Sequence, residues 1–235
     1  MNALSRVAPC LFALALVAGC ASTKVTNRQR YEGERIARPD RIIVHDFAAT
    51  PADIPAGSVA HQYGEQSTPP TAEEIEVGRK LGAQIAQDLV AEIWGMGLLQ
   101  AVRAAGQPVP RVGDIVITGY FESVDTGSAV KRVVLGFGSG AAELKTSVEG
   151  YLMTDKGLRL LGSSQVDSGG GKTPGVAVPL VVAVATGNPI GLIVGGAMKV
   201  GGEVTGKTTI EGTAKRTAKE IAKELRVAFQ KQGWI

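Results

Sequence analysis

Asp-Ile-Val-Ile-Thr-Gly-Tyr-Phe-Glu-Ser-Val-Asp, residues 114–125, is the stretch that decides the fold of this chain. Apolar residues and a glycine alternate there with polar or aromatic ones, and this period of two predicts a strand with one buried face. Residues 142–154 and 158–166 are two further predicted strands, joined by the short loop Asp155-Lys156-Gly157. We therefore expect an antiparallel unit in the middle of the chain.

Two long amphipathic helices are predicted, one before this unit and one after it. The first begins at Thr71-Ala72-Glu73-Glu74, a capping box in which the threonine hydroxyl and the Glu74 carboxylate satisfy free backbone amides. It should run to about Trp94, and a row of small residues beside its apolar stripe favours close packing: Gly78, Gly82, Ala86 and Val90. The second helix covers residues 213–230, with opposite charges at i+4 on its expected solvent face, which includes Glu220 and Glu224.

A further strand is predicted over residues 41–47, Arg-Ile-Ile-Val-His-Asp-Phe, because this β-branched run lies between Pro39 and a turn-rich segment. Residues 40–235 are therefore expected to form a single α/β domain of the α+β type. In this domain two long helices cover one face of a mainly antiparallel sheet.

A glycine-rich apolar insertion, residues 176–206, precedes the last helix. Its most apolar part, residues 176–200, has two arms of about a dozen residues joined by Thr186-Gly187-Asn188-Pro189. Each arm is shorter than the roughly 20 residues that a membrane-spanning helix needs. We expect a hairpin, and the pattern leaves open whether it is buried, lies in an oligomer or partner interface, or enters a membrane.

The amino-terminal segment predicts a bacterial lipoprotein. A short region with Arg6 and an apolar run over residues 11–18 lead to Val17-Ala18-Gly19-Cys20, the layout of a signal peptide followed by an acylated cysteine. Residues 1–19 are thus the expected signal peptide, Cys20 the lipid attachment site, and the polar, basic residues 20–39 a flexible tether. Ala rather than Asp at position 21 favours the outer membrane.

Composition excludes several classes of function. A net charge of +3 and the lack of a basic patch interleaved with aromatics argue against nucleic-acid binding. Of the two cysteines, Cys10 lies in the expected leader and Cys20 would carry lipid, which leaves no thiol for catalysis or zinc. His45 is interpreted as a structural or edge residue, and His61 has no ligand-type spacing to it, so no metal site is expected.

Two motifs suggest nucleotide binding. Residues 136–141, Gly-Phe-Gly-Ser-Gly-Ala, fit a loose dinucleotide pattern with Asp155 beyond, but a strand is expected where the pattern requires a helix. Residues 201–208, Gly-Gly-Glu-Val-Thr-Gly-Lys-Thr, match a P-loop, with Lys207 for phosphates and Thr208 for magnesium. Too few residues follow for the rest of a nucleotide-binding sheet. An NTPase that uses residues 201–208 is therefore kept as an alternative.

Several segments resemble one known family. They are Gly136-Phe-Gly-Ser-Gly-Ala-Ala-Glu-Leu144, Asn188-Pro-Ile-Gly-Leu-Ile-Val-Gly-Gly196, Gly212-Thr-Ala-Lys-Arg-Thr-Ala-Lys-Glu-Ile-Ala222 and Gln232-Gly-Trp-Ile235. Together they resemble the uncharacterised bacterial lipoprotein family named domain of unknown function 4410, from about Asp40 onward. The resemblance implies an envelope lipoprotein and brings no catalytic residues.

The expected function is non-catalytic. We expect a protein of the bacterial outer membrane, lipid-anchored and facing the periplasm, that binds, scaffolds or helps assemble a partner or associates with itself. No catalytic residue, cofactor, metal or small-molecule substrate can be identified from the sequence. Membrane insertion of an oligomer through residues 176–200 is a second alternative beside the NTPase.

Overall fold

One mixed sheet with two long helices on one face forms the fold. The computed structural model describes residues 22–54, 71–105, 109–125, 142–169, 192–194 and 209–235. The strands are β1 (Ser22–Arg30), β2 (Ile42–His45), β3 (Ala101–Ala104), β4 (Ile115–Asp125), β5 (Glu143–Thr154), β6 (Gly157–Gly169) and β7 (Leu192–Val194). The helices are α1 (Ala72–Trp94) and α2 (Ile210–Gln232), and a short 3₁₀ turn covers Pro51–Asp53.

The strand order is β1-β6-β5-β4-β2-β3, with β7 pairing with β4 outside this path. The β1–β6, β6–β5 and β5–β4 pairs are antiparallel, whereas the β4–β2, β2–β3 and β4–β7 pairs are parallel. The sheet is therefore mixed, and the prediction of a mainly antiparallel sheet is wrong. The reason is the connection from β2 through α1 to β3, because a helical crossover returns the chain to run parallel to its start.

The predicted local elements are present. The β5–β6 hairpin turns through Asp155 and Lys156 to Gly157, whose φ of +104° suits a residue without a Cβ. The capping box of α1 is formed in both directions: the Thr71 side chain accepts from the Glu74 amide, and Glu74 Oε2 accepts from the Thr71 amide at 2.7 Å. These outcomes follow from chemistry that is local in the sequence.

The core lies between the helices and the facing side of the sheet. Helix α1 contacts β2, β3 and β4, helix α2 contacts β1, β5 and β6, and the two helices contact each other. Alternate strand residues meet one stripe of each helix there, as the sequence pattern predicted. The shared core includes Ile42, Val44, Ile85, Leu89, Ile115, Ile117, Phe121, Leu144, Val148, Ala218 and Ile221.

Glycines allow α1 to approach the chain closely beyond β2. Phe47 is buried, and its amide donates to the carbonyl of Gly82 on α1 at 3.3 Å. A Cβ on Gly82 would lie 2.0 Å from the Phe47 carbonyl oxygen, and one on Gly119 would lie 2.3 Å from the Phe47 ring. The small-residue row of the helix thus serves close packing.

The polar segment after residue 20 contains a strand. Ser22–Arg30 pairs antiparallel with β6 at one edge of the sheet, so the predicted flexible tether over residues 20–39 is wrong for this part. An edge strand can be solvated on most sides, and only Val25 packs against the core here. Backbone pairing with β6 does not require apolar side chains. The segment therefore lacks an apolar period, and the sequence pattern did not predict a strand there.

The glycine-rich insertion, residues 176–206, lies outside the described residues apart from β7. Leu192–Val194 pairs parallel with Ser123–Asp125 at the end of β4. The predicted hairpin therefore stays a prediction. No helix in the described ranges is both long enough and apolar enough to cross a bilayer.

Candidate functional site

A cavity of about 350 Å³ lies between the carboxyl-terminal half of α2, the sheet and the segment of residues 28–36. This volume is at the lower end of the range of small-molecule sites. The sheet provides its floor, α2 its roof, and residues 28–32 its mouth. We take it as the candidate functional site.

Two glycines create the floor of this pocket. Ile117 on β4, Gly150 on β5, Gly162 on β6 and Arg30 on β1 are successive partners across four strands. The atom nearest to a Cβ on Gly150 would be the Gly162 carbonyl oxygen, 4.0 Å away, so Gly150 faces open space. At Gly162 a Cβ would lie 2.6 Å from the Gln29 oxygen, so this glycine also lets β1 approach.

The walls of the pocket are mostly apolar. Ile221, Leu225 and Phe229 of α2 face Ile115, Ile117, Val148 and Leu161 of the sheet. The chain end closes one side, because the Trp234 ring lies 5.2 Å from the Phe229 ring. The Trp234 indole nitrogen donates to the Ile36 carbonyl at 3.0 Å, which fixes the segment before β2.

Charged side chains form the mouth. Arg28 donates to Glu224 from Nε at 3.0 Å and from Nη2 at 2.9 Å, and Arg30 Nη2 donates to the same carboxylate at 3.1 Å. The Arg28 hydrogen bond lowers the pKa of Glu224 below its ordinary value; partial burial opposes this, and Arg30 adds to it. Lys231 and Glu32 complete the mouth, and Lys231 donates to the Tyr31 carbonyl at 3.1 Å.

These contacts correct one sequence interpretation. Glu224 was assigned to the solvent face of α2, where only i+4 partners on the same helix were expected. Its carboxylate instead bonds two arginines of β1. These three side chains connect the edge strand β1 to α2. Together with Lys231 and Glu32 they give the mouth a net charge of +1.

The opposite face of the sheet has its own polar network. The Glu122 carboxylate accepts hydrogen bonds from Ser147 and Gln165 and lies 3.3 Å from the Lys145 ammonium. The buried Glu149 carboxylate accepts from the Tyr151 hydroxyl at 2.6 Å. These groups satisfy one another, so we assign them a structural role.

His45 is buried at the end of β2. Neither ring nitrogen has a hydrogen-bond partner within the described ranges, and burial lowers the pKa of the imidazole despite the nearby Asp46 carboxylate. A neutral buried histidine is consistent with the structural role predicted for it. The described ranges contain no group of three or more His, Cys, Asp or Glu side chains placed to hold a metal ion.

The other sequence motifs lie outside the described residues. This applies to Cys20, to the glycine motif of residues 136–141 and to the P-loop match of residues 201–208. Asp155, the expected ribose-binding acid, lies in the turn between β5 and β6. Strand β5 begins at Glu143, directly after the glycine motif, where a dinucleotide-binding unit requires a helix. The P-loop hypothesis stays a prediction.

Comparison with known proteins identifies the family. The model described as "Domain of unknown function (DUF4410)" matches residues 42–187, more than half of the chain. The chain belongs to the DUF4410 family. The family resemblance found in the sequence is therefore confirmed over these residues, whereas the lipoprotein nature stays a prediction. No curated protein matches the chain.

Two solved structures are similar to this DUF4410 member. One is a PelC dodecamer from Paraburkholderia phytofirmans, with 11% sequence identity and a TM-score of 0.42, covering 85% of this chain and 94% of that one. The other, a variant PelC dodecamer from the same organism, has 17% identity and a TM-score of 0.36, covering 66% and 85%.

Proposed function

We propose that this protein is a lipid-anchored component of the bacterial cell envelope with a non-catalytic role in binding or assembly. Acylated Cys20 holds it at the outer membrane, and the folded domain faces the periplasm. The supporting observation is that β1 begins and β6 ends at the same end of the sheet, and β1 begins two residues after Cys20.

The register of three strands supports this arrangement. Ser22, two residues beyond Cys20, pairs with Gly169, the last residue of β6, and Gly169 also pairs with Glu143 at the start of β5. Helix α2 begins at this same end, since the Thr213 hydroxyl on its first turn donates to the Ala142 carbonyl at 3.5 Å. Gly169 and the start of α2, which flank residues 170–208, therefore lie at the end of the sheet that Ser22 occupies.

An acyl chain at Cys20 would bring this end of the sheet to the membrane surface. The most apolar segment, residues 176–200, is attached there, which favours contact with a membrane, with an envelope partner or with a second copy of the chain. The pocket lies nearer the other end, since Gly162 is seven residues along β6 from Gly169, roughly 23 Å at the usual rise per residue.

Membrane fractionation and intact-mass measurement of the wild-type protein and a Cys20→Ala variant test the anchor. We expect the wild-type chain to start at Cys20, to carry acyl chains and to fractionate with the outer membrane. The Cys20→Ala chain should keep its leader and lose the acyl mass. An unprocessed wild-type chain in the cytosol would refute the proposal.

Charged substitutions test the role of residues 176–200. Val182→Asp and Ile193→Asp should abolish membrane insertion in vesicles, or self-association detected by cross-linking, if this segment provides the contact. Val109→Asp is the matched control, because Val109 is already 84% exposed and lies on the described domain. Unchanged insertion and cross-linking in both insertion variants would exclude this segment as the contact.

The NTPase alternative has a separate test. Lys207→Ala should abolish any nucleotide binding by the P-loop match and should leave anchoring and assembly unchanged. Nucleotide bound by the wild-type chain and lost in this variant would favour the alternative.

A further inference from the structure

We infer that the pocket under α2 binds one amphipathic anion, whose aliphatic chain enters the cavity and whose carboxylate or phosphate lies at Arg28 and Arg30. This inference goes beyond the proposed envelope role and does not depend on the lipid anchor. The two parts of the ligand follow from two separate features of the site.

The cavity selects an apolar group. Its walls are mostly aliphatic and aromatic side chains, and its floor includes the space above Gly150, where a larger residue would place a side chain. An apolar group that enters this pocket removes apolar surface from water, which favours binding. At about 350 Å³ the space suits one slender aliphatic chain rather than a bulky polar molecule.

The mouth selects a negative head group. The guanidinium groups of Arg28 and Arg30 converge on one Glu224 carboxylate, the geometry in which two arginines hold an anion. Glu32 and Glu220 add negative charge nearby, whereas Lys231 lines the mouth and Arg159 lies 5.3 Å from the Tyr31 ring centroid. The basic groups outnumber the acidic ones, so an incoming carboxylate or phosphate can share the arginines with Glu224.

The position of the pocket fits a ligand delivered through the aqueous phase. Arg28 and Arg30 line it at the end of β1 remote from Ser22, and both side chains are exposed to solvent there. A soluble single-chain amphiphile can reach this opening without leaving the water. Fatty acids and single-chain phosphate esters share this chemistry.

Calorimetric titration of the full-length Cys20→Ala chain tests the inference, because this chain carries no acyl group of its own. The probes are decanoate, decyl phosphate, decanol and decyltrimethylammonium, all below their micelle concentrations. We expect at least one of the two anions to bind with one molecule per chain, about tenfold or more tightly than decanol. Decanol has the same aliphatic chain but no charged head group, so it cannot form the charge-assisted hydrogen bond with the arginines. Tighter binding of decanoate would indicate a carboxylate ligand, and tighter binding of decyl phosphate would indicate a phosphate ester.

Variants in the same background separate the two features. Gly150→Leu should fill the cavity and weaken the anions and decanol at least about tenfold, whereas Gly150→Ala should weaken them less. Arg28→Gln combined with Arg30→Gln should weaken only the anions, to about the affinity of decanol. Lys215→Gln, on an exposed part of α2 outside the pocket, is the control and should bind as the parent does.

Three results would overturn the inference. They are failure of both anions to bind the folded parent, equal affinity for decanol and the anions, and unchanged binding in folded Gly150→Leu. Far-UV circular dichroism establishes folding of each variant. If Gly150→Leu does not fold, the double arginine variant still decides, because it leaves the core unaltered, and unchanged anion binding there contradicts the inference.

Discussion

Replacing Gly82 with Ala is the most direct test of how α1 packs. Judged by helix propensity alone, this substitution should stabilise the protein by about 1 kcal/mol, because Ala is the better helix former. The structure predicts the opposite sign. A Cβ at this position would lie 2.0 Å from the Phe47 carbonyl oxygen, whereas carbon–oxygen contacts begin at about 3.3 Å.

The magnitude follows from what must move. Relieving the contact requires α1 and the Phe47 backbone to separate by more than about 1 Å, a case of overpacking that typically costs about 1–3 kcal/mol. The hydrogen bond from the Phe47 amide to the Gly82 carbonyl would weaken as well, at about 0.5–1.5 kcal/mol. After subtraction of the propensity gain, we expect a net destabilisation of about 0.5–3.5 kcal/mol.

Urea unfolding of the full-length Cys20→Ala chain, followed by far-UV circular dichroism, measures this difference. Gln87→Ala is the control, because Gln87 is exposed on the same helix and its replacement should change the free energy of unfolding by no more than about 0.5 kcal/mol. A Gly82→Ala chain as stable as its parent would refute the close approach of helix and strand.

Two further predictions concern stability. Thr71→Ala should lower the free energy of unfolding by about 1 kcal/mol in the same assay, because the N-cap of α1 is lost, and Thr71→Ser should restore most of it. Stability should also fall on acidification in two stages. His45 has a lowered pKa when folded, so its part is present above the unfolded value of about 6.5 and declines below it, and His45→Leu should remove this stage. Glu224 also has a lowered pKa in the folded state, so its contribution to stability is lost as the pH falls below about 4.5. Glu224→Gln should remove this contribution. A variant whose stability depends on pH in the same way as that of its parent would contradict the assignment for that residue.

The pocket could be predicted only in fragments. The alternation in residues 114–125 correctly placed Ile115 and Ile117 on the buried face, and the stripe of α2 correctly included Ile221 and Leu225. Gly150 gave only a weak signal for the pocket, namely a glycine at an inward-facing position of a strand. Whether such a glycine faces a neighbouring backbone or an empty space depends on the opposite helix, which no local pattern describes.

The sequence alone determined the elements whose causes are local. Strand alternation, the hairpin turn at Gly157, the capping box at Thr71 and the amphipathic stripe of α2 each depend on residues within a few positions of one another, and each is present. The family was also recognised from the sequence, and its model matches residues 42–187.

Only the tertiary structure decided how these elements combine. The parallel pairing of β2 and β3, the edge strand β1 and the contact of Arg28 and Arg30 with Glu224 join residues that are distant in the sequence. Such contacts depend on which backbone edges are left to pair and on how closely two surfaces can approach. Periodicity records which face of an element is buried, and it contains no information on the partner that buries it.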